Sequence, residues 1–317
     1  MSVKPLAMRD ALLERIWGEM GRNSDVFLVS ADFGSPVLDK IRADYADQFV
    51  NVGIAEQNLI NISAGLALEG RTVFAYSIAP FITMRCYEQT RVSLALLSNV
   101  REMNVNLIGV GAGFSYVVSG PTHQCYEDIS LMRAMPNFRI LSPADHLTSA
   151  ALLDVCLSHS GPKYLRLDAQ VLPVVHNSAG YESSRGFVTL RSGSALCLVA
   201  TGFMVHTALE VADRLESEGK SVGVIDLIDL THFDHSAFLK IIENYATIAS
   251  FEEGFKGRGG MDAMLLDLLN REKPDTSFIN FGVEGGYRFE LGSRQELHES
   301  VSIGPETIYQ KLRPILG

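Results

Sequence analysis

The chain has 317 residues, a formal net charge of −10, 47% hydrophobic residues and 20% charged residues. This length and balance predict a folded protein of roughly two domains, and the acidic charge argues against nucleic acid or an anionic membrane as a partner. No apolar run is long enough to span a bilayer, and the first ten residues lack the apolar stretch of a signal peptide. With four widely spaced cysteines and no CxxC pair, we expect reduced thiols and a cytoplasmic location.

Short apolar runs alternate with helical patterns through the first half of the chain. Strands are predicted at residues 26–30, 49–52, 72–76, 105–110, 138–141 and 162–167. Helices are predicted at residues 11–20, 57–69, 87–97, 128–135 and 148–159. Such alternation predicts a parallel sheet covered on both faces, with ligands bound at the carboxyl ends of its strands.

Residues 168–186 interrupt this pattern, because they lack a helical period and are rich in proline, asparagine, serine and glycine. That composition is typical of a linker. A second series follows, with strands at 195–200, 221–228 and 247–251 and helices at 205–219, 236–244 and 260–270. The sequence therefore predicts an α/β fold of two domains, over residues 1–175 and 187–317, each a mostly parallel sheet flanked by helices.

A carboxylate, Glu56, lies where a predicted strand, a glycine and a helix meet in the run from Asn51 to Asn58. It falls in the first turn of the helix, where the helix dipole favours a negative charge. On this pattern alone two interpretations stay open. Glu56 either stabilises the start of the helix or serves a pocket at the strand end.

Three other residues and one glycine-rich segment are weaker candidates. His123 directly follows the loop that Gly120-Pro121 forces, although an isolated loop histidine commonly has no role. Arg9 and Arg166 stand out in an acidic chain because the planar donors of arginine match two phosphate oxygens, yet lone arginines usually form surface salt bridges. The segment 257–260 precedes a helix and either holds an anion or allows close packing, which is the favoured interpretation.

Several segments, taken in order, resemble the transketolase superfamily. They are Ser30-Ala31-Asp32, the run from Asn51 to Gln57, the run from Arg85 to Gln89, the run from Gly120 to Gln124, Met135-Pro136-Asn137, Pro143-Ala144-Asp145 and Arg166. A full-length member has three domains, and this chain looks like the second and third. The resemblance implies thiamine diphosphate as cofactor. It also implies a separate partner subunit that carries the diphosphate and Mg²⁺ ligands, and an α2β2 assembly.

The resemblance also assigns cofactor contacts residue by residue. Glu56 matches the glutamate that hydrogen-bonds the pyrimidine nitrogen and lets the amino group of the cofactor act as a base. Asp32 lines the thiazolium side, while Ile78, Phe81 and Tyr87 match cofactor-binding positions. The chain departs from the family at Ile78, where an aromatic residue is usual. It departs again at residue 51, where the family motif has aspartate. No metal ligand is expected on this chain.

For the substrate, the resemblance implies that His123 contacts the sugar and that Arg9 and Arg166 together hold a sugar phosphate. Typical family members carry a histidine and an aspartate where this chain has Gly111 and Ser119. Residues 112–118 also bring aromatic side chains, Phe114 and Tyr116, where polar or small residues are usual. These departures predict an acceptor other than an ordinary aldose phosphate, because the site has lost a hydroxyl-specific acceptor group.

The resemblance implies a transferase that moves a two-carbon ketol unit from a ketose to an aldehyde. Alternatives are the β chain of a 2-oxoacid dehydrogenase, a deoxyxylulose-phosphate-synthase-like enzyme, and a non-catalytic paralogue that only stabilises a partner. The run from Gly120 to Gln124 and Arg166 favour the transketolase, since a dehydrogenase needs no phosphate-binding arginine. Glu56 argues against a scaffold, which has no use for that carboxylate.

Overall fold

The computed structural model describes residues 4–176 and 184–316. The first sheet has six parallel strands in the order β2-β1-β3-β4-β6-β5. Their bounds are β1 (Val26–Ser30), β2 (Phe49–Asn51), β3 (Thr72–Ile78), β4 (Asn104–Val110), β5 (Arg139–Leu141) and β6 (Gly161–Leu167). The central strands β3, β4 and β6 are buried along almost their whole length, as expected for a parallel sheet with both faces covered.

Helices cover the two faces of this sheet. The helices of this domain are α1 (Met8–Met20), α2 (Pro36–Asp44), α3 (Glu56–Leu68), α4 (Tyr87–Gln89), α5 (Asp128–Arg133) and α6 (His146–Ser158). Leu12 of α1 packs with Leu165 and Leu167 of β6 in one apolar cluster. Leu59 of α3 and Tyr164 of β6 belong to another cluster, on the opposite face, because successive side chains of a strand point to opposite sides.

The helix predicted at residues 87–97 is instead a broken segment. A π-helix at Phe81–Arg85 leads into α4, and a second π-helix at Thr90–Leu96 ends in a 3₁₀ turn at Leu97–Asn99. Thr83 Oγ1 donates to the carbonyl of Ala79 at 2.7 Å, a side-chain bond that competes with the regular helix ladder. Such π-turns are frequent at functional sites, and this one carries Phe81 and Arg85.

The second sheet has the order β11-β10-β8-β9-β7, in which only β7 runs antiparallel to its neighbour. Its strands are β7 (Phe187–Arg191), β8 (Leu196–Ala200), β9 (Val222–Leu227), β10 (Thr247–Phe255) and β11 (Ser277–Val283). The helices around it are α7 (Met204–Ser217), α8 (His235–Ile242), α9 (Met261–Glu272), α10 (Arg294–Ser300) and α11 (Pro305–Leu312). The two α/β domains confirm the predicted fold class, although α2, β7, β11, α10 and α11 were not predicted.

The two domains are in direct contact. Ser142 N donates to the carbonyl of Ile228 at 2.8 Å, and Arg139 Nε donates to Asp229 at 2.6 Å. Part of the predicted linker, residues 177–183, lies outside the described residues. Within the parts of the chain that are described, no helix is both long and apolar enough to cross a membrane.

Candidate active site

Glu56 lies at the carboxyl edge of the first sheet. Strand β2 ends at Asn51, Gly53 turns the chain with a φ of 72°, and α3 begins at Glu56 itself. The Glu56 side chain is only 1% exposed. Its Oε2 accepts a hydrogen bond from Arg85 Nη1 at 2.7 Å, and Ser77 Oγ lies 3.5 Å from its Oε1. A carboxyl group buried this deeply is not a surface helix cap, and its pairing with Arg85 is needed because a buried charge is costly unless it is paired.

An aromatic wall extends from this carboxyl group, and we define it as Phe81, His123 and Tyr116. The Arg85 guanidinium bonded to Glu56 lies 4.2 Å from the Phe81 ring centroid, a cation–π contact. The Phe81 ring lies 5.3 Å from the His123 ring, and Tyr116 lies 6.3 Å beyond His123. The structure therefore brings Glu56, Phe81 and His123 together in one continuous surface.

The ring of Tyr116 lies against the backbone of Gly111. Gly111 has a φ of 101°, and a Cβ at this position would overlap the Tyr116 ring. Both observations disfavour a side chain at residue 111, because L residues rarely adopt such a φ. Burial raises the pKa of Tyr116 to about 12, so that its phenol is neutral at pH 7.

The second domain holds the loop that carries Tyr116 and His123. Glu253 Oε1 accepts a hydrogen bond from the Phe114 amide at 3.3 Å, and a Cβ at Gly113 would overlap the Glu253 carboxylate. Arg294 makes a bidentate pair with Glu253 at 2.7 and 3.0 Å, and His298 Nε2 lies 2.6 Å from it. Although burial opposes ionisation, the Arg294 charge and the His298 hydrogen bond hold the pKa of Glu253 far below its usual value.

Asp32 and Asn51 form a second polar pair at the same sheet edge. Asp32 is exposed and has a φ of 58°, a conformation that costs a non-glycine residue about 1–3 kcal/mol. Asn51 Nδ2 donates to Asp32 Oδ1 at 2.9 Å, and Asn51 Oδ1 accepts from the Gly53 amide at 2.9 Å. The asparagine that departs from the family motif thus donates to Asp32, whereas an ionised aspartate would repel it.

The remaining predicted cofactor residues, Ile78 and Tyr87, lie close to the same edge. Ile78 is the half-buried last residue of β3. Tyr87 is half-buried, and its hydroxyl donates to the carbonyl of Leu131 at 3.0 Å. Because this bond uses the Tyr87 hydroxyl proton, Tyr87 can offer a ligand its ring and the acceptor side of its oxygen.

The structure does not bring the two predicted phosphate ligands together. Arg9 on α1 pairs with Asp10 at 2.8 and 3.3 Å and keeps 21% of its side chain exposed. Arg166 is buried on the other face of the sheet, where its Nε donates to Asp128 at 2.8 Å and its Nη2 donates to the carbonyl of Glu253 at 3.0 Å. The predicted pair therefore needs correction, since the Arg166 contacts join the two domains.

The glycine-rich segment before α9 serves a carboxylate of the chain itself. Glu252 accepts hydrogen bonds from the amides of Met261 and Asp262 at 3.0 and 2.8 Å. A Cβ at Gly260 would overlap this carboxylate. The close approach of the Glu252 carboxylate explains the glycine at residue 260. Glu252 already accepts from the amides that a bound anion would use.

Sequence reasoning assigned no role to Arg85 or to Glu253. Arg85 begins one of the segments that resemble the transketolase superfamily. It follows Phe81 by four residues, a spacing that could have placed both side chains on one helix face. Glu253 left no local signal, because its partner Phe114 is 139 residues away in the chain. Only the packing of the two domains reveals that contact.

The comparison with family models agrees with this architecture. Residues 4–174 match the transketolase pyrimidine-binding domain, and residues 187–308 match the transketolase C-terminal domain. The chain therefore belongs to the transketolase family.

Relatives of similar length are single subunits. An apulose-4-phosphate transketolase subunit of Actinobacillus succinogenes is 29% identical over 304 residues, which are 95% of this chain and 96% of the relative. The subunit of the same name from Phocaeicola vulgatus is 30% identical over 272 residues, which are 85% of this chain and 86% of the relative. A solved split-gene transketolase in an inactive β4 tetramer has a TM-score of 0.85 and 26% identity, and the match covers 99% of each chain.

Proposed function

We propose that this chain is the pyrimidine-binding subunit of a split, thiamine-diphosphate-dependent transketolase. The enzyme transfers a two-carbon ketol unit from a ketose to an aldehyde acceptor. The observation that carries this proposal is the buried Glu56 carboxyl group beside Phe81 at the carboxyl edge of the parallel sheet. That is where ligands bind in such folds.

The residues around Glu56 fit an aminopyrimidine ring. A buried carboxyl group can hydrogen-bond a ring nitrogen, and Phe81 and Ile78 offer apolar surface to a flat ring. When bound, thiamine diphosphate supplies the nucleophile that takes the two-carbon unit from the donor. Glu56 would hold a proton at the oxygen that faces the ring nitrogen. Arg85 must leave that carboxyl group, and its side chain, 46% exposed, can turn toward solvent without burying an unpaired charge.

His123 and Arg9 are the residues of this chain that we assign to the substrate. His123 is half-buried in the wall beside Phe81, within reach of a carbonyl compound near Glu56. Arg9 retains an exposed edge that can contact an anionic group. Asp32 would border the thiazolium side, and Tyr87 would contribute its ring.

A partner subunit completes the site. Two relatives are named as one subunit of a transketolase, and a third comes from a split gene, which supports a partner chain. We assign the diphosphate and Mg²⁺ ligands to that partner and propose an α2β2 assembly. The buried free cysteines support a cytoplasmic location, because reduced thiols persist there.

We further propose an acceptor other than an ordinary aldose phosphate. Tyr116 covers Gly111, where family members carry a histidine, and Ser119 replaces an aspartate. Two relatives are named for apulose 4-phosphate, which supports a substrate outside the common aldose phosphates.

Reconstitution tests this function. The chain is purified together with a candidate partner that carries a Gly-Asp-Gly metal motif, and ketol transfer is measured over a panel of ketose donors and aldehydes. We expect transfer that requires both chains and thiamine diphosphate. Transfer of acyl groups to a lipoyl carrier would instead identify a dehydrogenase. Condensation of pyruvate with glyceraldehyde 3-phosphate would identify a deoxyxylulose phosphate synthase.

A further inference from the structure

We propose that Tyr116 is a specificity-determining residue that limits the length of the acceptor, an inference that rests on the proposed transketolase function. The aromatic departures in residues 112–118 predict an unusual acceptor, but the sequence alone does not say how Tyr116 would select it. The proposal comes from its place in the aromatic wall, from the glycine beneath its ring, and from the contacts that fix its loop.

The wall gives the site a direction. Glu56 marks the end where the cofactor ring binds, followed by Phe81, then His123 at 5.3 Å from Phe81, then Tyr116 at 6.3 Å from His123. Tyr116 is therefore the third ring of the wall, reached from Phe81 through His123.

Tyr116 occupies space that a side chain at residue 111 would otherwise fill. Its ring overlaps the position that a Cβ at Gly111 would take. The aromatic ring therefore reaches the carboxyl end of β4. A short acceptor ends before this ring, whereas a longer one must pass it.

The loop is held at the two residues just before Tyr116, which limits how far its ring can move aside. The Phe114 amide donates to Glu253 in the second domain, and Gln170 Nε2 donates to the carbonyl of Ser115 at 3.0 Å. Within residues 4–176 and 184–316 the Tyr116 hydroxyl makes no hydrogen bond. We assign the selection to the shape of the ring rather than to the hydroxyl, and Tyr116→Phe tests this assignment.

The test measures kcat/KM of the reconstituted pair for ribose 5-phosphate and for glyceraldehyde 3-phosphate with one fixed ketose donor. Both compounds serve only as probes of acceptor length, and of the two the wild type should prefer the three-carbon one. Tyr116→Ala should raise kcat/KM for ribose 5-phosphate relative to kcat/KM for glyceraldehyde 3-phosphate by about 10-fold or more, the scale of a pocket contact. Tyr116→Phe should keep the wild-type ratio, because it preserves the ring.

Tyr45→Ala is the matched control, because it also removes a half-buried tyrosine. Tyr45 lies beside Gly21, which precedes the amino end of β1, so this variant should leave the ratio unchanged. Tyr116→Leu serves as a second variant in case Tyr116→Ala does not fold. An unchanged ratio in both Tyr116→Ala and Tyr116→Leu would overturn this proposal while leaving the transketolase function intact. A shift in Tyr116→Phe as large as in Tyr116→Ala would overturn the shape argument. A wild-type pair that transfers no ketol unit would overturn both.

Discussion

Substitution of Glu56 by glutamine separates the catalytic role of this residue from its structural role. The amide has nearly the same shape as the carboxyl group, but it cannot supply a proton to a ring nitrogen. General acid–base contributions are worth about 10²–10⁴ in rate, which corresponds to roughly 3–5 kcal/mol in the barrier. We therefore expect kcat of the reconstituted enzyme to fall by at least 100-fold.

The fold should tolerate this change. Arg85, the ion-pair partner of Glu56, is 46% exposed, so that glutamine at residue 56 leaves no unpaired charge buried. Ser77, the other neighbour, lies at the limit of hydrogen-bond distance. The expected loss in Tm is a few degrees at most, because about 1 kcal/mol shifts a chain of 150–250 residues by roughly 2–4 °C.

The assay is steady-state ketol transfer at saturating thiamine diphosphate, with thermal unfolding of each variant beside it. Glu88→Gln is a matched control, since Glu88 is an exposed glutamate in the neighbouring helix α4, and it should retain wild-type rates. Near-normal turnover of the Glu56→Gln enzyme would refute the assignment of Glu56. An equal loss of activity and of folded protein would show that Glu56 is only structural.

Three further predictions concern the loop and its anchor. Gly111→Ala should destabilise the chain by about 1–3 kcal/mol in urea unfolding, because it forces an alanine into a positive φ against the Tyr116 ring; unchanged stability would contradict that packing. Glu253→Gln should lower the free energy of unfolding by about 1.5–3 kcal/mol. A buried charge left alone would cost ~3–5 kcal/mol, but Asp168 still pairs with Arg294 at 2.6 Å. The lowered pKa of Glu253 means that the unfolded chain binds its proton more readily. The ionised Glu253 carboxylate therefore stabilises the fold above roughly pH 4.3, and this contribution is lost as the pH falls below that value. In acid unfolding followed by circular dichroism, the Glu253→Gln variant should lose less stability than the wild type between about pH 4 and pH 2.

The parallel sheet was predictable from sequence because buried central strands leave continuous apolar runs. Strand β1 was predicted with its observed bounds, and β4 within one residue. By contrast, β11 begins with the exposed Ser277, and its mixed burial leaves a weaker pattern. The π-helix at Phe81–Arg85 was missed because side-chain bonds such as that of Thr83, rather than apolar periodicity, disturb the helix there.

The residues of the candidate site likewise differ in how much the local sequence reveals about them. Glu56 and His123 were singled out by local signals, a strand end for Glu56 and a glycine-proline loop for His123, and their roles stay predictions. Arg166 was misjudged, because an arginine in a buried strand gives no sign of its partner. The Arg166 guanidinium donates hydrogen bonds to Asp128 and to the carbonyl of Glu253. Tertiary packing brings both acceptors to it.

Calorimetric titration with thiamine diphosphate and Mg²⁺ tests the split site most directly. This chain alone should show no tight, Mg²⁺-dependent binding, because the diphosphate ligands belong to the partner in our account. The mixture of both chains should bind the cofactor tightly. Tight Mg²⁺-dependent binding by this chain alone would contradict the division of the site between two subunits.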